Sequence, residues 1–351
     1  MAYGKYFGLR VLNAILVLVV VMFIISALFN TVMEDRQRVT VRETVAAESR
    51  DPSIAQMSAK EREEWVKNRI EYYTELYGLD DPYLEKVITR TKNTLTLKLG
   101  VSHKLPAPSG SKKVTDIILG YLPRSILLFT TAAMIYSIIG IFLGLKAAQR
   151  AGSSLDKGIS VFGLLTRSLP MWWIGMLFIL LFAFELDWFP ASSYPLPQYE
   201  NFFQYAGGVL YKMILPLVTI VFVSFGGWAY TSRNLVIGIL QEDYIMVARA
   251  KGVPERKVIY GHVLRAAAPS IVTLTIFTFL GTLGGAIITE SVFNWPGMGR
   301  LYWAALQMDE IEVIMGLTLV TVFLYLAGMV LADLIYGYLD PRVKVGASQN
   351  V

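Results

Sequence analysis

The chain has 351 residues, of which 54% are hydrophobic and 17% charged, with a formal net charge of +5 and a mean hydropathy of +0.50. That balance belongs to integral membrane proteins and excludes both a disordered chain and an ordinary soluble domain. No cysteine is present, so disulfides, thiolate metal sites and lipidated cysteines are excluded as well.

Six apolar runs follow one another, at 11–29, 125–145, 159–184 (interrupted by Arg167), 213–232, 266–289 and 313–332. Each is of helix length, longer than a β-barrel strand, and apolar all round, as soluble amphipathic helices are not. They predict an all-α membrane protein with six transmembrane helices. The first run is too long for a cleaved leader and no small-x-small pattern follows at 26–32, so it reads as an uncleaved span. Basic residues concentrate in alternate short segments: Lys5 and Arg10, then Lys146, Arg150 and Lys157, then Arg233 to Arg265, then Arg342 and Lys344. The segments at 188–212 and 290–312 are poor in basic residues and rich in proline and aromatics. The bias places both termini in the cytoplasm of a multi-pass protein of the cell membrane.

Four regions result: a first span with its cytoplasmic N-terminus at 1–30, an external soluble insertion at 31–116, a five-helix core at 117–340 with a cytoplasmic loop at 233–265, and a cytoplasmic tail at 341–351. The insertion has helices of its own. Ser58 and Glu61 form the S-x-x-E pattern of a capping box, opening a helix through Trp65, Ile70, Tyr73 and Tyr77 that Gly78 ends. Asp81 and Pro82 start a second helix with Leu84, Val87 and Ile88 on one face. The insertion is either an external contact or gating module or a solvated cap over the spans.

Within the membrane, Pro170 is expected to kink the third helix and Pro216 the start of the fourth. Thr275, Thr278 and Thr282, with Gly281, Gly284 and Gly285, give the fifth helix a small, mildly polar face that suits close packing or a hydrated path. Arg167 is a charge inside a span and either snorkels to the cytoplasmic headgroups or faces that path. Enzymatic signatures are missing: there is no GxxxxGK[ST], no HExxH, no GxSxG, and only two histidines. The chain is therefore expected not to be an enzyme and to bind neither a metal nor a nucleic acid.

The cytoplasmic loop carries EDYIMVARAKGVPERKVIYG at 242–261. Read as a helix, it sets Leu240, Tyr244, Val247 and Ala248 on one face. Glu242 and Asp243 stand at its start and Arg249 and Lys251 near its end, matching the helix dipole; Ala250 precedes Lys251 and Gly252 stops the helix before Pro254. Ala248 and Gly252 form a small-residue face suited to a partner's groove, where a helix resting on lipid would want bulky residues.

At these residues the sequence resembles the permease subunits of ABC importers of the dipeptide/oligopeptide group. The likeness is carried by YIMVARAKGVPERKVIYGHVLRAAAP at 244–269, ESVFNWPGMGRL at 290–301, LDPRV at 339–343, SLPMWWIG at 168–175, WFPASSY at 188–194 and ELYGLDDPYLEK at 75–86. It departs from the family in the size of the insertion and its charged stretch around 36–64. The resemblance implies that residues 242–252 (Glu242, Asp243, Tyr244, Ala248, Arg249, Ala250, Lys251 and Gly252) dock onto ATPase subunits that hold ATP and Mg, no cofactor being bound by this chain. It further implies a second homologous permease subunit and an external solute-binding protein that delivers oligopeptides or oligosaccharides. Arg167, Thr275, Thr278 and Thr282 are then candidates for the translocation path, and Glu290, Asn294, Trp295 and Pro296 for an external gate or binding-protein contact. The rival reading is an ion- or proton-coupled transporter or channel without ATPase partners, which the scarcity of intramembrane carboxylates disfavours.

Overall fold

Proline, glycine and the reach of each apolar run decide where the helices begin and end. The computed structural model describes residues 2–197, 201–282 and 284–339; the expected tail at 341–351 lies outside them. Among the described residues there are five continuous helices long and apolar enough to cross a bilayer, and a sixth candidate span broken by a bend.

The first helix, α1 (Ala2–Glu48), is 47 residues long and does not stop at the expected boundary near residue 31. No Gly or Pro interrupts it after Gly8, and the Glu34–Arg38 pair at 3.0 Å supports it just beyond the apolar run. It therefore continues past the apolar run as a rod, and the helices that follow pack on it. After the short α2 (Pro52–Ala55), α3 (Ala59–Leu76) opens on the expected capping box, with Ser58 and Glu61 satisfying each other's backbone N–H groups. It ends as expected at Gly78 (φ +59°), whose N–H and that of Leu79 reach back to the carbonyls of Glu75 and Thr74. Trp65, Ile70 and Tyr73 pack on Val41, Val45 and Leu79, and Glu48 takes Arg69 at 2.7 Å and the Tyr73 hydroxyl at 2.5 Å.

Helix α4 (Tyr83–Leu95) corrects the sequence reading of its buried face. Val87, Thr91 and Thr94 point inward, while Leu84 and Ile88 are exposed. Packing against α1 selects the face, and a short apolar pattern did not specify it. The return strand at 96–113 is clamped near the last span: the Glu310 carboxylate, itself buried, accepts from the Ser102 hydroxyl (2.9 Å) and the backbone N–H groups of His103 (3.0 Å) and Lys104 (2.7 Å).

The core begins with α5 (Val114–Gln149). The third span divides into α6 (Ser154–Ser168) and α7 (Met171–Phe178), the latter continuing as a π-helical turn through Glu185. Pro170 does more than kink it: the two parts meet at 97°. Leu169 is extended (φ −90°, ψ 129°), as the steric demand of a following proline requires. The fourth span, α8 (Phe202–Leu240), starts well before residue 213, so Pro216 lies inside it and not at its start. The loop at 233–265 holds α9 (Asp243–Ala250) and α10 (Glu255–Lys257), which runs through a π-helical turn into α11 (Leu264–Thr282). The expected run 266–289 is thus cut short; Gly285 (φ +71°) breaks it before α12 (Ile287–Val292). Helix α13 (Met298–Gln307) and the last span α14 (Ile311–Leu339) follow.

The core is drawn together by glycine. A Cβ on Gly144 of α5 would stand 2.5 Å from the Ala229 carbonyl oxygen of α8, and one on Gly163 of α6 would stand 2.5 Å from that of Gly226. Helices in lipid gain little from the hydrophobic effect against each other, and this close approach gives them dispersion contacts instead. Gly144→Ala should therefore destabilise the protein by about 1–3 kcal/mol through overpacking. Gly158→Ala, whose Cβ meets nothing, should be neutral or gain up to ~1 kcal/mol. Thermal midpoints of the two variants in detergent check this, and equal midpoints would contradict the packing argument.

Candidate coupling loop and membrane cavity

Helix α9 is shorter than the sequence pattern implied. Leu240 closes α8, and a turn at Gln241 and Glu242 separates the two, so Leu240 does not share a helix with Tyr244. Glu242 is the N-cap residue but makes no side-chain capping bond, and Asp243 opens the first turn. The other end is fully built. Gly252 is left-handed (φ +75°), its N–H bonds the Arg249 carbonyl (2.9 Å), and the Val253 N–H bonds that of Ala248 (3.2 Å).

One side chain fixes α9 to the core. Ile245 is fully buried among Leu145 of α5, Val236 of α8 and Val258, Ile259 and Val263 of the turn that leads into α11. Such burial is worth about 1.5–3 kcal/mol. Its neighbours face outward: Tyr244 is 49% exposed, Met246 52% and Val247 51%. Ala248 is half-buried, Ala250 and Lys251 are exposed, and the space beside Gly252 is open. Arg249 is not a free basic flank; it bonds Glu255 at 2.7 Å, and that carboxylate holds its guanidinium further into the charged range. A second tie escaped the sequence reading: the buried Asp156 at the start of α6 accepts from both Arg233 Nε and Nη2 near the end of α8, and from the Gly152 N–H at 2.8 Å. Its only signal in the sequence is an acidic residue in a helix's first turn, which is common.

A cavity of about 530 Å³, open on one side, lies where α5, α6, α8 and α11 meet. Arg167 and Thr278 both line it, with Tyr136, Trp228 and Thr231. Thr275 and Thr282 do not: Thr275 bonds back to the Ile271 carbonyl (2.8 Å), and Thr282 to that of Phe279 (2.6 Å) while facing Thr130 (3.4 Å). Tyr136 and Thr278 sit near the centres of the runs 125–145 and 266–289. Arg167 is exposed, and its stem lies over Gly227, where a Cβ would come within 3.3 Å of its Nε. Tyr136 and Trp228 were not singled out from sequence, because an aromatic residue in an apolar run reads as packing.

Glu290 is wholly buried on α12. It accepts from the Ser125 hydroxyl of α5 (2.7 Å) and the Arg300 N–H (3.0 Å), while Ser125 in turn accepts from the Met298 N–H (2.7 Å). Trp295 is equally buried and donates from Nε1 to the Arg124 carbonyl (3.1 Å). Pro296 is buried too, and half-buried Asn294 donates to the Ser192 hydroxyl (2.8 Å). Burial leaves Glu290, Trp295 and Pro296 no surface for an external protein, so that part of the expectation is corrected. Their geometry is a lock between α5, α12 and α13.

Residues 137–345 match the family model described as the binding-protein-dependent transport system inner membrane component. The chain is 28% identical over 295 residues to the oligopeptide transport system permease protein AppB of Bacillus subtilis, covering 84% of this chain and 87% of that one. It is 32% identical over 282 residues to the dipeptide transport system permease protein DppB of the same organism, with 80% and 85% covered. The dipeptide permease DppB of Alkalihalophilus pseudofirmus is 30% identical over 286 residues, with 77% and 84% covered. These likenesses bear out the resemblance to the dipeptide/oligopeptide group of ABC permeases. The chain belongs to the family of binding-protein-dependent transport system inner membrane components.

Proposed function

We propose that this chain is one of two membrane-spanning subunits of an ATP-driven peptide importer, receives cargo from an external binding protein, and couples to ATPase subunits through α9. The observation that carries the reading is the construction of α9: a short helix between two spans whose buried side chain is Ile245, ended by a left-handed Gly252 with open space beside it. Such an end, with Ala248 one turn before it, leaves room for a partner's surface to approach the backbone. The peptide class follows the relatives, which are oligopeptide and dipeptide permeases, and replaces the oligosaccharide alternative. ATP and Mg are assigned to the ATPase subunits; the relatives are permease proteins. Family membership also disfavours a transporter without ATPase partners.

Mechanism follows from what Ile245 touches. When the ATPases close on ATP, they displace α9, and a close-packed anchor transmits displacement instead of absorbing it. Ile245 passes it to α5, α8 and the root of α11, and the Asp156–Arg233 pair adds α6. Those four helices line the cavity. Their rigid-body tilt alternates its exposure between the two sides of the membrane.

Two outcomes are expected. In intact cells, exposed Lys92 and Lys112 should react with a membrane-impermeant amine reagent, while Lys157 and Lys257 should be protected; labelling of Lys257 would reverse the orientation. In the assembled complex, Val247→Asp places a charge on the exposed face of α9 without disturbing the fold. It should weaken association with the ATPases by on the order of 3 kcal/mol, roughly 100-fold, at an unchanged thermal midpoint. Gly252→Leu, forced to a positive φ, should also lose docking. Full ATP-driven uptake by both variants in proteoliposomes would sink the coupling assignment.

A further inference from the structure

Arg167 is the one charged residue lining the membrane cavity among the described residues. It has no ion pair, no side-chain hydrogen bond and no ring contact there. The hydroxyls beside it are already committed as donors to their own helices, Thr231 to the Gly227 carbonyl (3.0 Å) and Thr278 to that of Leu274 (2.8 Å). Arg167 is exposed to the open side of the cavity, and functional cations within apolar segments face cavities. The buried charges elsewhere are already satisfied within the chain: Asp156 is paired with Arg233, and Glu290 is capped by a hydroxyl and an N–H. Gly227 even removes a side chain to admit Arg167.

Resting on the peptide-importer reading, we infer that Arg167 is the cavity's ligand for the carboxylate at the C-terminus of the transported peptide. Every free peptide carries that group whatever its sequence, and a planar guanidinium matches it with two parallel N–H donors. The rest of the wall suits the remainder of such a cargo. Tyr136 and Trp228, with ring centroids 6.5 Å apart, present aromatic faces that accept varied side chains. No carboxylate lines the cavity to compete for Arg167.

The test uses the assembled transporter in nanodiscs without the binding protein, so that only the membrane site selects. Trialanine and trialanine amide are titrated against wild type, R167Q and R167K. Wild type should bind the acid about tenfold more tightly than the amide. R167Q should lose that preference by weakening the acid alone, and R167K, which keeps the charge, should retain part of it. Equal affinity of wild type for acid and amide overturns the inference without relying on any variant, as does an unchanged preference in R167Q. The same preparations in proteoliposomes, supplied with the binding protein and ATP, separate the two levels. Peptide uptake by wild type with no acid preference in the nanodisc assay overturns the carboxylate site alone, whereas no peptide uptake by wild type overturns the importer reading and the site with it.

Discussion

The core depends on backbone contact between helices that carry no side chain where they cross. Gly144 of α5 and Gly163 of α6 meet Ala229 and Gly226 of α8 at distances a Cβ would violate. Lipid cannot drive those helices together as water would, so close packing has to supply the attraction. Around α8, glycine does two different things at adjacent positions. Gly226 admits α6, and Gly227, one residue on, admits the stem of Arg167. The scaffold and the cavity are consequences of one short sequence.

The broken elements obey a related constraint. Irregular backbone survives at membrane depth only where protein or a hydrated cavity receives it. The break at Pro170 adjoins the cavity that Leu169 and Met171 line, and the break at Gly285 lies against the buried Glu290 carboxylate. One departure from a straight helix therefore adjoins the cavity, and the other is received by a buried polar lock.

Much of this was legible in the residues. All-round apolar runs marked the all-α membrane class, the S-x-x-E box and Gly78 marked both ends of α3, and Gly252 marked the end of α9. Helix starts were less legible, because hydropathy marks where a chain is apolar and not where its helix begins: α8 opens at Phe202 and α1 runs on to Glu48. The face of α4 was misread because its burial is decided by α1, a partner distant in sequence. Of the expected path residues, Arg167 and Thr278 came together at the cavity, while Thr275 and Thr282 do not line it. Glu290 drew notice as an external residue, but its burial depends on Ser125, 165 positions away.

The unbroken course of α1 has a mechanical consequence for the module packed on its C-terminal half. A helix of 47 residues is about 70 Å long. Turning about its midpoint by roughly 5°, such a rod carries its outer end through about 3 Å. The module is joined to that end through Glu48, Val41 and Val45, and Glu310 grips its other margin next to α14. Held at two supports, it follows small rotations of the first and last spans as a magnified deflection on the far side of the membrane.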